Sequence, residues 1–221
     1  MDLKIIYFNF PFWRAEVARI PLFIGNIPFE DKRVTSEEFS YIKEYGHMKD
    51  GTKIPFSQLP VLVVNGEVIA QTGAIARICG KLSGFYPEDM VKAGKVDQVI
   101  DAATDINMLL RPSMKEQDPI KKKEMRIDLS KNDLPRYFGY LENILSETNS
   151  HWFVDDKMTI ADIAMTLRTP RSFIITVRSI FKPHIFIAHF TNPLAKIRFG
   201  IENITFNLNF QSTSPLKNRA N

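Results

Sequence analysis

The chain has 221 residues, enough for one substantial core or two small ones, and its 44% hydrophobic and 24% charged residues exclude a disordered or fibrous class. The net charge of +4 is unevenly held: residues 1–162 carry 21 Lys and Arg against 24 Asp and Glu, and residues 163–221 carry 8 against 1, so the body offers no basic stripe to nucleic acid. A single cysteine, Cys79, excludes an internal disulfide, a Cys-x-x-Cys redox pair and a cysteine zinc site, while no run approaches the roughly 20 apolar residues of a membrane helix. With no cleavable apolar stretch behind Met1, the expected location is cytoplasmic and no membrane partner is expected.

Leu3 to Phe8 is a short β-branched and aromatic run that predicts a strand. Glu16 to Ile24 follows as a helix, with Val17, Ile20 and Ile24 at helical spacing, and Gly25-Asn26 stops it. Phe29 to Val34 predicts a second strand, so the opening is a right-handed βαβ unit with a parallel pair. Glu37 to Tyr45 reads as a helix and Gly46 to Lys53 as a polar loop. Pro60 to Val64 and Glu67 to Ile69 flank Asn65-Gly66, the strongest short hairpin signal in the chain. Gln71 to Leu82 predicts a helix with Thr72 as its cap and Ile75, Ile78 and Leu82 on one face.

Beyond a turn-rich connection at 83–89 the pattern becomes helical: Met90 to Leu110, Pro119 to Ile144, and a helix opening near Thr159. Thr159-Ile160-Ala161-Asp162 fits a capping box, with Met158 and Ile163 as the staple. The expected division is residues 1–82, a linker at 83–89, and a helical region from 90 to 221. Asp97, Asp101 and Asp105 recur four apart on one helical face, which is destabilising unless a cation stands opposite. A metal site built from this trio finds no support in its spacing or in other ligand types, and no metal is expected.

Three stretches carry a resemblance. They are Lys4-Ile5-Ile6-Tyr7-Phe8-Asn9 with Arg14-Ala15-Glu16, then Ile54-Pro55-Phe56-Ser57-Gln58-Leu59-Pro60-Val61-Leu62, then Gln71-Thr72-Gly73-Ala74-Ile75. Together they resemble the Tyr-type cytosolic glutathione S-transferases, nearest the sigma class. The resemblance implies an α/β domain with the thioredoxin-like order βαβαββα followed by an all-α helical-bundle domain, family-like to about residue 166. It implies glutathione as co-substrate, no metal, a homodimer, and conjugation of the glutathione thiolate to small hydrophobic electrophiles in detoxification. Two neighbouring activities accompany it: a glutathione-dependent isomerase of the prostaglandin type, and a non-catalytic glutathione-binding or structural relative such as the lens crystallins.

Residue by residue, the resemblance makes Tyr7 the donor to the thiolate and Arg14 its support. Phe8, Phe39, Lys43, Gln58, Leu59, Pro60, Gln71, Thr72 and Asp105 become glutathione-binding positions, with Leu59-Pro60 the cis bond whose preceding backbone pairs with the cysteinyl unit. Other readings stand beside these. Tyr7 also suits a strand aromatic packing inward, Lys43 a solvated surface, Thr72 simple capping, and Asp101 and Asp105 a solvated acidic face.

The chain departs from the pattern in three places. Phe10-Pro11-Phe12-Trp13 is one residue longer than the sigma spacing and lacks its glycine; Phe10, Phe12 and Trp13 either wall the electrophile pocket or cover the sheet edge. The loop Gly46 to Lys53 is longer than in vertebrate sigma enzymes, and its lysines suit the glycyl carboxylate. After Asp162 the long buried helix of the family is interrupted at Thr169-Pro170-Arg171, and Phe173 to Phe210 lacks helical periodicity, as expected of a shifted reading frame, a retained intron or a strongly diverged terminus.

Overall fold

The computed structural model describes residues 1–9, 14–148, 150 and 152–166. The expectations placed on Phe10, Phe12 and Trp13, and on the chain from Thr169 to Phe210, lie outside the described residues.

Four strands and three helices build the N-terminal part: β1 (Leu3–Phe8), α1 (Glu16–Ile24), β2 (Glu30–Val34), α2 (Ser36–Tyr45), β3 (Val61–Val64), β4 (Glu67–Ala70) and α3 (Thr72–Leu82). The sheet order is β2-β1-β3-β4, with β1 parallel to β2 and the other pairs antiparallel. This is a thioredoxin-like mixed sheet. Leu3, Ile5, Ile6, Val61 and Leu62 from the sheet, Ala18 and Leu22 from α1, and Ile75 and Cys79 from α3 fill one apolar cluster. The hairpin turn takes the form its residues demand: Asn65 and Gly66 both have positive φ, 50° and 88°, and the Asn65 side chain accepts from the Asp2 amide.

α2 begins one residue earlier than the sequence pattern predicts, because Thr35 is its N-cap. The Thr35 hydroxyl accepts from the Glu38 amide at 3.2 Å, and the Glu38 carboxylate accepts from the Thr35 amide at 2.8 Å, a complete capping box. Gly46 closes the helix in the left-handed region at φ 74°, a conformation a side chain would strain.

The helical part holds α4 (Met90–Lys115), α5 (Pro119–Lys131), α6 (Asp133–Ser146) and α7 (Ile160–Thr166). Two boundaries differ from expectation. α4 runs past Leu110 and through Pro112 to Lys115. The single helix expected over Pro119 to Ile144 is two, broken at Asn132, whose φ −115° and ψ −80° leave the helical region. The cause is local: the Asn132 amide bonds the Asp128 carboxylate at 2.6 Å, and Pro135, which has no N–H, suits the first turn of a new helix better than the middle of an old one.

α7 packs on α4, α1 and α3, so the two parts share an interface. Its entry is tied by Asp162, whose carboxylate accepts from the Thr159 amide at 2.7 Å, the Thr159 hydroxyl at 2.9 Å and the Phe153 amide at 3.0 Å. Asp162 thus reaches back to Thr159 as expected, and its bond to Phe153 also ties the loop before the helix.

Candidate active site

Strand register gathers the predicted residues at one end of the sheet. The β1–β3 ladder ends at Ile6 opposite Val61, which brings Tyr7 level with the start of β3 at Pro60. Val61 pairs with Ala70, so Gln71 and the first turn of α3 lie at that same end. Tyr7 also pairs with Arg33 and Phe8 with Val34, immediately before α2. One strand carboxyl end, one strand start and two helix starts therefore converge.

Tyr7 is 3% exposed, and its hydroxyl has been pushed up to about 12 by burial, against the pull of the Arg14 and Arg19 charges and of a hydrogen bond from the Arg14 backbone. Nearby Glu16 adds to the rise. Tyr7 is therefore protonated at neutral pH, as a donor must be. Arg14 is brought to Tyr7 despite the inserted residue in the loop before it.

Phe8 meets the Tyr7 ring edge at 5.2 Å between centroids and the Phe39 ring at 4.7 Å. Lys43 Nζ stands 5.6 Å from the Phe39 centroid, one turn along α2, so Lys43 is exposed yet held over the ring. These four residues form one connected row from Tyr7 to the surface.

The Leu59-Pro60 peptide is cis. Both residues are buried, and Gln58 before them is extended and exposed. Gln71 occupies the N-cap position of α3 with φ 71° and ψ 121°, a strained conformation for a side-chain-bearing residue, and makes no side-chain capping bond. Thr72, expected as the cap, is instead the first helical residue. Its amide and those of Gly73 and Ala74 thus belong to the first turn, which has no intrahelical acceptors and carries the positive end of the helix dipole.

Asp105 does not join this cluster. It lies exposed on α4, where the Tyr137 hydroxyl approaches it at 3.5 Å. The cation that the acidic face requires is Arg77 on α3: its Nε donates to Asp97 at 2.7 Å and its Nη2 to Asp101 at 2.9 Å, while the Tyr86 hydroxyl adds a bond to Asp97 at 2.9 Å. Among the lysines of the loop, Lys49 stands over the Tyr41 ring at 5.8 Å and Lys53 forms an isolated bridge with His47. No group of three or more His, Cys, Asp or Glu side chains among the described residues could hold a metal ion.

Sequence reasoning missed the groups on the far side of Tyr7. Arg19, 7% exposed, places its guanidinium 5.9 Å from the Tyr7 centroid and bonds Glu16 and Asp31. A signal existed: Arg19 interrupts Val17 to Leu22, an otherwise uncharged run that is buried throughout.

The described residues thus combine a thioredoxin-like sheet, a buried protonated phenol and a helix N-terminus without a side-chain cap with an all-helical part. The N-terminal domain model of glutathione S-transferases matches residues 3–77, and the C-terminal domain model matches residues 104–167. Glutathione S-transferase 2 of Caenorhabditis elegans is 30% identical over 153 residues, 67% of this chain and 77% of its own length. Hematopoietic prostaglandin D synthase of Gallus gallus is 32% identical over 161 residues, 73% of this chain and 74% of its own. The crystal structure of a monomeric glutathione S-transferase from the hookworm Necator americanus superposes with a TM-score of 0.73 at 26% identity, over 98% of this chain and 100% of that one. The chain belongs to the glutathione S-transferase family.

Proposed function

We propose that the protein conjugates the glutathione thiolate to small hydrophobic electrophiles, with Tyr7 donating a hydrogen bond to the sulfur. The observation that carries this reading is the buried, protonated Tyr7 hydroxyl beside Arg14. At a value of about 12, only about one Tyr7 in a hundred thousand is ionised at pH 7, so Tyr7 serves as a donor to a thiolate and not as a base that removes the thiol proton. A thiol with an ordinary value near 8.5 becomes more acidic when its anion accepts a hydrogen bond that the neutral form cannot use equally.

Glutathione is assigned to the remaining positions as follows. The α3 first turn, from Thr72 behind Gln71, receives the γ-glutamyl carboxylate; the Leu59 backbone before Pro60 pairs with the cysteinyl unit; and Gln58, with the Phe8, Phe39 and Lys43 row, borders the glycyl end. Phe39 has no ring N–H, so Lys43 supplies the only charge in that row. In the same proposal residues 1–82 form the glutathione domain, 83–89 the linker and the residues from 90 the helical domain.

Tyr7→Phe tests the chemistry. A hydrogen bond to a charged group contributes roughly 1.5–3 kcal/mol, so kcat/KM with glutathione and an aryl halide falls about 10- to 100-fold while glutathione binding persists. Equal rates in both proteins reject Tyr7 as the donor. The likeness to the avian prostaglandin D synthase favours a second reading, a glutathione-dependent isomerase of the prostaglandin type near the sigma class. Turnover of a prostaglandin precursor faster than of aryl halides selects it.

A cytoplasmic homodimer belongs to the same proposal, with Asp105 reaching toward the neighbouring subunit's glutathione. Phe56 and Tyr45, 70% and 52% exposed, support an apolar contact that one chain leaves uncovered. Sedimentation at monomer mass across the working concentration range rejects the dimer.

A further inference from the structure

α1 buries Val17 through Leu22 as one stretch, and Arg19 is the charged residue within it. Two elements hold its guanidinium. Nη1 donates to Glu16 Oε1 at 2.5 Å, one turn earlier on α1, while Nε and Nη2 both donate to Asp31 Oδ1 on β2 at 3.1 and 2.9 Å. Asp31 Oδ2 in turn accepts from Arg33 Nη2 at 2.5 Å, and Arg33 sits opposite Tyr7 in the strand ladder. A guanidinium is planar and donates in fixed directions, so three bonds to two elements set both its place and its tilt. That place is 5.9 Å from the centre of the Tyr7 ring. Taking such a network out of water carries a desolvation penalty and adds little stability over an apolar replacement, so its position against the phenol needs a further reason.

We propose that Arg19 is a positioning residue for Tyr7: the clamp from Glu16 and Asp31 holds a fixed positive charge against the phenol, restraining the ring and strengthening its hydroxyl as a donor to an anionic sulfur. This rests on the reading of Tyr7 as the donor to glutathione. The charged groups facing Tyr7 are Arg14, Arg19 and Glu16, with Arg33 in register on β2. Arg14 and Arg19 favour ionisation of the hydroxyl and Glu16 opposes it. Arg19 and Glu16 therefore act on Tyr7 with opposite signs although they are bonded to each other. Met at 19 removes the charge together with the clamp, whereas Gln at 16 keeps an amide oxygen to accept from Arg19 Nη1 and removes only the negative charge, so the two variants change the field at Tyr7 with opposite signs.

The test titrates the ultraviolet thiolate absorbance of glutathione bound to the full-length protein. In the unaltered protein the midpoint lies below that of free glutathione and returns toward it in Tyr7→Phe; failure of that step overturns the donor reading and the inference with it. With that step in place, Arg19→Met raises the midpoint by about 0.5–1 pH unit, Glu16→Gln lowers it by a similar amount, and Arg19→Lys shows only part of the Arg19→Met rise. Shifts of one sign in both variants, or no shift in either, overturn the positioning role. If Arg19→Met does not fold, Arg19→Lys takes its place: it keeps a positive charge but loses the planar fork, and a midpoint that falls or stays fixed overturns the inference.

Discussion

Gly80 on α3 packs directly against Ile160 on α7, and an alanine there should destabilise the protein. A Cβ on Gly80 would lie 2.9 Å from Ile160 Cβ, 3.0 Å from its Cγ2 and 3.3 Å from its Cγ1. Carbon pairs prefer about 3.5–4.0 Å. The Ile160 atoms are the branch next to its backbone, and that backbone donates to Phe85 O at 2.8 Å, so the neighbour has little room to withdraw. Ile160 is also fully buried. Two effects then compete. Alanine improves on glycine in a helix by about 1 kcal/mol, while overpacking a core costs about 1–3 kcal/mol, and with three contacts inside the preferred distance the second should win by about 1–2 kcal/mol. Gly94 on α4 and Gly139 on α6 serve as controls, since a Cβ at either meets nothing within 4 Å. Their alanine variants should gain about 0.5–1 kcal/mol. Urea denaturation with a common slope gives the comparison. In an Ile160→Ala background the Gly80→Ala penalty should shrink, because both γ-carbons are gone. A Gly80→Ala protein as stabilised as Gly94→Ala would refute the reasoning.

Arg77→Met should lower stability by about 1 kcal/mol, because it leaves Asp97 and Asp101 facing each other on α4 with partly exposed side chains. The loss should shrink in high salt and be partly recovered by adding Asp97→Asn; a salt-independent loss would assign it to packing instead. Asp162→Ala should cost about 3 kcal/mol, since the Thr159 and Phe153 amides lose a buried acceptor, and Asp162→Asn should cost less; equal denaturation midpoints for the two variants would contradict this. Glu38 is held below the ordinary glutamate range first by the Thr35 amide and then by Lys32. Its folded value lies below its unfolded one, so its contribution is present above the ordinary glutamate value and is lost as pH falls through the folded value. The difference in melting temperature between the native protein and Glu38→Gln should therefore vanish on acidification, and a constant difference down to strongly acidic pH would show that the carboxylate charge is irrelevant there.

Where an element's own residues dictate its form, its ends could be read directly. β1 and α1 match their predicted limits, and Asn65-Gly66 folds as its preference for positive φ requires. α5 and α6 could not be separated by periodicity because the apolar residues of α5 are a poor guide to burial: Ile120 and Ile127 are 69% and 42% exposed while Leu129 is buried. The break was written instead in Asn132 and Pro135, and an apolar count passes over such residues. α2 hid its start for a related reason, since Thr35 and Glu38 act as a pair and neither is apolar.

The site divides along a similar line. Tyr7, Leu59-Pro60 and Gln71-Thr72 belong to short motifs whose spacing along the chain is preserved by one sheet, so recognising the motifs was enough to predict their convergence. The electrostatics were not legible that way. Arg77 meets Asp97 and Asp101 across separations of 20 and 24 residues, and Arg19 meets Asp31 across 12, so each pairing is settled only when α3 docks on α4 or α1 on β2. Along the chain Arg19 is a single charge within an otherwise uncharged run. In the fold it stands against the Tyr7 ring, and a residue that would ordinarily be solvated becomes part of the field around the Tyr7 hydroxyl. Motifs thus locate the Tyr7 hydroxyl with Arg14 and Glu16, while its burial and the Arg19 charge beside it come from packing that only the tertiary structure shows.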